Sequence, residues 1–334
     1  MLTYMRSNGI TPDFLIEHKY APTDGDTYGL LYFKSWASDA AGLRQMVTDY
    51  LGSAGTNVAL ESTESGTGGD RQAVSLVGGL MYADDVGQIM QTELNSRLWW
   101  DMRNGQSAIV DSDNALYGWR TNSIGSFITD GGIVYNLGVP GNRYPTYYVA
   151  KLLPHFAGGG DTVVWATNDY ELLGTYAVRR SNGALTLLFI NKSSSADLTA
   201  SVNIAGYLPA TNAMVYSYGM PQDTAAETGI GSIDIQINSQ GVAASFTNTF
   251  APYSATVLSC APAPPAVAVL PSPSTQFVFQ IQGQPGVPYV IQSSATLTAP
   301  NWIAISTNTP TDGTLNVTNS NPSGIQFYRA VWQP

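Results

Sequence analysis

The sequence predicts an α/β segment of about three βα units, followed by an antiparallel β-sandwich and a small C-terminal β module. Three observations carry this. Between residues 13 and 103, apolar runs of strand length alternate with stretches of helical spacing at a period of about 40 residues, the mark of a parallel sheet. From Thr162 to Leu258 the pattern changes to short alternating runs separated by polar, glycine-containing turns. Between Ala261 and Pro273 prolines crowd so closely that an extended, semi-stiff linker is expected. The resulting division is 1–160 for the βα part, 161–260 for the sandwich, 261–273 for the linker and 274–334 for the last module.

Three strands are placed first, at Phe14–Tyr20, Asn57–Thr63 and Ser96–Met102. Between the first two, Ser38 is positioned to cap a helix whose apolar residues Leu43, Met46, Val47, Tyr50 and Leu51 follow 3-and-4 spacing, with Gly52 as its stop. Leu76, Leu80, Ala83, Gly87 and Met90 repeat that stripe before the third strand. A further helix is expected over Thr146–Phe156, ended by Gly158–Gly160. The sandwich strands are Tyr176–Arg180, Leu185–Ile190, Ala213–Tyr218, Ile233–Ile237 and Ala255–Leu258. The last module has runs at Phe277–Ile281, Tyr289–Gln292, Trp302–Ile305 and Phe327–Trp332.

Composition narrows the function. With 334 residues and 44% apolar content the chain can bury a large core in two or three units. Only 11% of residues are charged, while Ser, Thr, Asn and Gly abound, a balance common in exported polysaccharide-active proteins. The net charge of -10, with 14 basic residues and no basic cluster, argues against nucleic acid and anionic membranes and favours a neutral substrate. A single cysteine, Cys260, excludes an intrachain disulfide and a thiolate metal site; it reads as a small apolar strand residue. No run reaches the roughly 18 apolar residues of a membrane span, and Met1–Gly9 lacks a basic segment followed by an apolar one. Either the N-terminus lies upstream or the protein stays in the cytoplasm.

The candidate chemistry sits at the strand ends. The run Val58–Thr67 carries Glu61 and Glu64 into a Gly/Ser turn, and a carboxylate at the C-terminal end of a βα strand can act as a nucleophile. The bland reading of Glu64 is a solvated turn residue. Strand alternation expects Glu61 on the opposite face. His18 and Tyr20 share one face at the tip of the first strand, suited to holding hydroxyls or orienting a carboxylate, or else to a satisfied core pair. Trp99, Trp100, Asp101 and Arg103 bring two indoles and a charged pair to the third tip, where indoles can stack on sugar rings and Asp and Arg can bond hydroxyls. Tyr117, Trp119 and Arg120 extend that platform. The two histidines, His18 and His155, lie far apart, so neither metal nor cofactor is expected, and serine-elbow and nucleotide motifs are absent. Gly66–Asp70 reads as a flexible loop.

At these residues the chain resembles the clan A glycoside hydrolases, in particular bacterial proteins that look like α-L-arabinofuranosidases. The ordered landmarks are Ile16–Tyr20, Thr63–Ser65, Gln72–Leu80, Trp99–Gly105, Tyr117–Arg120 and Tyr144–Tyr148, then Leu187–Lys192 and Val215–Gly219 in the sandwich. The resemblance covers about residues 13 to 258. It implies the last three βα units of a (β/α)₈ barrel, with Thr63 and Glu64 at the seventh strand, His18 and Tyr20 at the sixth and Trp99–Arg103 at the eighth. Glu64 is then the nucleophile, and His18, Tyr20, Trp99, Trp100, Asp101 and Arg103 surround the sugar. The last module resembles small β domains of exported bacterial proteins through Tyr289–Ser294 and Phe327–Val331, which implies a secreted or cell-surface enzyme acting on plant polysaccharide.

The chain departs from the family in length. A barrel takes about 250 residues, and roughly 150 precede the sandwich here. The strand-four Asn-Glu tip that supplies the family's acid/base has no counterpart; Glu17, Glu61 and Asp101 are the nearby carboxylates. Three strands cannot close a barrel, so an unpaired edge and an unpacked inner face are expected. A second copy or a partner chain completing the barrel would supply both. The expected function is a retaining glycoside hydrolase, with a truncated form included; the alternative is a non-catalytic carbohydrate-binding or adhesion protein built on a barrel remnant.

Overall fold

The structure is a computed structural model that describes residues 1–21, 34–67, 75–100, 102, 133, 143–273, 275–320 and 324–334. Strands β1 (Phe14–Tyr20), β2 (Ala59–Gly66) and β3 (Leu94–Trp99) form a parallel sheet in that order. Helices α1 (Leu2–Ser7), α2 (Trp36–Leu51) and α3 (Leu76–Ile89) accompany it. Leu15, Leu60 and Leu94 lie in register and share a buried core with Trp36, Ala40 and Val47 of α2 and Ile89 of α3. Leu43, Val47 and Leu51 of the expected α2 stripe join this core while Met46 and Tyr50 are exposed, and Leu76, Leu80 and Ala83 of α3 pack into a different core.

Both helices start as their first turns dictate. The Ser75 hydroxyl accepts the Gly78 N–H at 2.9 Å, an N-cap. Ser38, expected to cap α2, lies inside it instead, with its hydroxyl on the Ser35 carbonyl. The reason is Trp36: its ring is fully buried and its indole N–H donates to Asp85 at 3.0 Å, which draws the helix start forward. Gly52 follows α2 with φ +60°, a conformation glycine adopts freely.

Helix α4 (Pro145–Leu152) packs on α3, where Gly79 leaves room for Pro145; a Cβ there would sit 3.1 Å from it. Beyond it comes a six-stranded antiparallel sheet in the order β4 (Thr162–Val164), β5 (Leu173–Arg179), β6 (Leu185–Asn191), β11 (Ser254–Pro262), β8 (Pro209–Gly219), β9 (Gln236–Gly241). One face meets α3 and α4 through Tyr176, Val178, Leu188, Ile190 and Val257. The other meets a two-stranded sheet, β7 (Leu198–Asn203) with β10 (Ser245–Phe250), through Leu187, Phe189 and Leu258. Strand β6 is therefore buried along its whole length. Cys260 is buried in this second core and its thiol is pushed up to about 11 by burial.

Several elements are additional to those the sequence predicts, α1 and β4 among them. Strands β7 and β10 alternate with small or polar residues, so their apolar signal is thin. Helix α5 (Met220–Thr228) carries Pro221 in its first turn and Gly229 at φ +70° after it, a start and stop pair overlooked between two strands.

The segment 261–273 is not a bare linker. Strand β11 runs to Pro262, and β12 (Ala266–Leu270) pairs with β13 (Phe277–Gln282). The five residues from Ala266 carry no proline, and β12 lies at a sheet edge, where flanking prolines are tolerated. The module contains two sheets, β12-β13-β16 (β16, Thr314–Asn319) and β15-β14-β17 (Ile303–Asn308, Tyr289–Ser294, Phe327–Trp332), around Phe279, Ile281 and Ile291. It is bonded to the six-stranded sheet: the Gln284 amide accepts from Leu208 N–H at 2.8 Å and donates to its carbonyl at 2.5 Å, and the Trp332 indole donates to Asn182 O at 2.7 Å.

Candidate active site

The pairing of β1 with β2 slips once. Glu17 pairs with Ser62, but His18 pairs with Glu64, so Thr63 is an extra residue and β2 is bulged there. Alternation restarts after the bulge. Ile16 pairs with Glu61 and His18 with Glu64, and residues 16 and 18 share a face; Glu61 and Glu64 therefore share it too. This corrects the expectation that they point to opposite sides, which assumed an unbroken strand. Leu60, Ser62 and Ser65 take the buried helix side.

The bulge brings three of the sequence-selected residues together. The Tyr20 hydroxyl donates to Glu64 Oε2 at 2.9 Å, and His18 Nδ1 lies 3.2 Å from the same oxygen. His18 Nε2 lies 3.2 Å from Thr63 Oγ1. One neutral tautomer satisfies both ring nitrogens: Nδ1–H donates to the carboxylate and Nε2 accepts from the Thr63 hydroxyl. Thr63 is thus a positioning residue that the sequence reading quoted only as a motif member; no signal in the sequence marks the bulge that gives it this place. Among the described residues Oε1 of Glu64 takes no hydrogen bond. The carboxylate is held by one oxygen and presents the other.

Gly66 ends β2 beside Tyr20, whose ring would lie 3.4 Å from a Cβ on that glycine. Beyond it the Trp100 N–H donates to Ser65 O at 2.8 Å. Trp100 is 40% exposed at this tip.

Trp99 faces the other way, against the expectation that it meets the sugar. It lies edge-on to Tyr82 of α3 at 4.9 Å, with the Arg97 guanidinium over both rings at 4.7 and 4.8 Å. Arg97 in turn bonds Asp85 at 2.9 Å, the carboxylate that also receives the Trp36 indole. Burial raises the Asp85 pKa, with Arg97 opposing. Alternation forces one of two tandem indoles to each side, and Arg97 makes the helix side the better place for Trp99. Asp101 and Arg103 lie outside the described residues, as do Tyr117, Trp119, Arg120 and Gly68–Asp70.

Of the other carboxylates, Glu61 accepts a hydrogen bond from Ser96 Oγ on the open side of the sheet. Glu17 faces the helices; its Oε1 is buried without a partner, and burial raises its pKa, partly offset by Lys19. His155 is remote, stacked on Tyr216 at 3.8 Å. Among the described residues no group of three or more His, Cys, Asp or Glu side chains is arranged to hold a metal ion.

No protein-family model matches the chain, and no curated protein matches it. Solved structures do. A bifunctional glucanase-xylanase, CelM2, from a metagenome library shares the fold with a TM-score of 0.52 at 18% identity, over 78% of this chain and 47% of that one. The α-L-arabinofuranosidase of Thermotoga maritima in an arabinose complex gives 0.54 at 14% identity, over 77% and 54%. A Paenibacillus polymyxa xyloglucanase of glycoside hydrolase family 44 gives 0.52 at 15%, over 78% and 50%. The chain shares its fold with these glycoside hydrolases and spans about half of their length.

Proposed function

We propose that this chain is the nucleophile-bearing part of a retaining, α-L-arabinofuranosidase-like glycoside hydrolase acting on plant polysaccharide, with β1 to β3 as the last three strands of a (β/α)₈ barrel. One observation carries the reading: Tyr20 and His18 converge on one oxygen of Glu64 and leave the other oxygen presented. In this scheme Oε1 attacks the anomeric carbon as the glycosidic oxygen takes a proton from an acid and departs. The resulting glycosyl ester is then cleaved by water, whose proton returns to the same acid, now a base. Tyr20 and His18 orient Glu64, and Trp100 offers an indole face to the sugar.

Retention needs a second carboxyl about 5 Å from the nucleophile. Glu61 shares the face of Glu64 but lies two register steps back along β2, roughly 7 Å by strand rise. By the resemblance this role falls to an Asn-Glu tip of a fourth strand, which has no counterpart in the sequence. The chain is expected to act outside the cell and to use no metal or cofactor.

A second reading, binding without turnover, is favoured by the open side of the sheet, where Phe14, Ile16 and Leu98 are half exposed and water is not excluded from Glu64. An assay separates the two. Release of sugar from an aryl arabinofuranoside or from arabinoxylan, lost by at least about a thousandfold in Glu64→Gln, supports the hydrolase; glycan binding with no turnover by the wild type supports the binder.

A further inference from the structure

A cleft of about 420 Å³ lies away from Glu64, between the end of α3 and the segment joining β4 to β5. Trp165 stands at its rim and is 85% exposed, more than any other large apolar side chain among the described residues. An indole so bare gains nothing for folding where it stands. Its segment is nonetheless ordered by local bonds: Asn168 Oδ1 accepts the Tyr170 N–H at 3.1 Å, and Tyr170 O accepts the Leu173 N–H at 3.0 Å. The ring stands at the start of this segment, directly after β4.

The cleft below is lined by apolar groups, Ala166 and Leu173 among them, and by polar ones. Its polar lining includes Asn168, Gln91, Glu171 and Lys34, which together carry both donors and acceptors. At the floor the Lys192 ammonium is matched by Asp84 at 2.7 Å, so its charge is neutralised there.

An exposed indole over a cleft of amides and a carboxylate suits the apolar C–H face and equatorial hydroxyls of a sugar ring. We infer that this cleft is a second carbohydrate site, a non-catalytic one that holds a neutral polysaccharide chain through stacking on Trp165; the choice of ligand class rests on the function proposed above. Such a site raises the local concentration of polymer without touching the bond that is cleaved.

The test uses the full chain with Glu64→Gln, run by affinity electrophoresis in gels containing arabinoxylan or xyloglucan. The expected result is retardation of the parent, with Trp165→Ala binding about tenfold more weakly. Because Trp165 is exposed, its replacement leaves the fold intact. In the Glu64 background, hydrolysis of a small aryl glycoside is expected to be unchanged by Trp165→Ala. Equal retardation of parent and Trp165→Ala, or none for either, overturns the second site. The outcomes for the two proposals separate: turnover without Trp165-dependent retardation leaves the Glu64 reading and removes the cleft, whereas Trp165-dependent retardation without turnover removes the hydrolase and leaves the cleft.

Discussion

The three-stranded sheet is packed on one side and open on the other, and its chemistry differs accordingly. On the helix side Leu15, Leu60 and Leu94 lie under α2 and α3, and charges meet local partners, Lys19 with Asp39 and Ser35 and Asp85 with Arg97 and Trp36, while Glu17 Oε1 is buried with none among the described residues. Helix α3 then turns to the six-stranded sheet, where Asp84 receives Lys192 at 2.7 Å, the Tyr176 hydroxyl at 2.9 Å and Gln88 at 3.0 Å. On the other side Phe14, Ile16 and Leu98 are half exposed around the carboxylates. Parallel sheets are ordinarily covered on both faces. Here the covered face supplies rigidity and the open face supplies access, so Glu64 stands on a support whose stability is decided behind it.

The largest test of that contrast is Asp84→Ala. It removes the carboxylate that meets the buried Lys192 ammonium and strands the Tyr176 hydroxyl, whose pKa burial and Asp84 already push upward. A loss of about 3–5 kcal/mol in denaturant unfolding is expected; a loss under 1 kcal/mol would mean that α3 and the six-stranded sheet do not depend on this joint. Next is Gly87→Ala. A Cβ there would lie 2.3 Å from the Tyr176 ring, which cannot yield far because its hydroxyl is tied to Asp84. About 1–3 kcal/mol is expected by the same measurement. Smallest is Ile16→Ser on the open side, where the side chain is 50% exposed and a change within about 0.5 kcal/mol is expected. If that substitution instead costs several kcal/mol, the open side is covered in solution, and sedimentation of the wild type would show by what.

Legibility followed signal strength. Strand β1 and the stripes of α2 and α3 were readable because apolar residues recur at one period over many positions. Strands β7 and β10 were not, because Thr199, Ser201 and Asn203 leave only a thin apolar face that matters once Phe246 and Phe250 lie opposite. Strand β12 was hidden by prolines that flank it without entering it. At the site, His18, Tyr20 and Glu64 were each chosen for residue type and position at a strand end, and they meet. The shared aromatic character of Trp99 and Trp100 points both at the sugar; alternation parts them, and Arg97 supplies the reason that Trp99 turns inward. The common face of Glu61 and Glu64 was out of reach, since one unpaired residue in β2 decides it and nothing in the local composition announces that residue.

That unpaired residue makes the carboxylate pair a property of counting. Removing Thr63 would set Glu61 and Glu64 two residues apart in an unbulged strand, still on one face, and would cost the site only the hydroxyl that His18 Nε2 meets. Keeping Thr63 but pairing it in regular register would instead turn Glu64 toward α2. Whether a related chain keeps the site is therefore to be judged by which residue of β2 is left out of the pairing with β1, before the identity of anything around it.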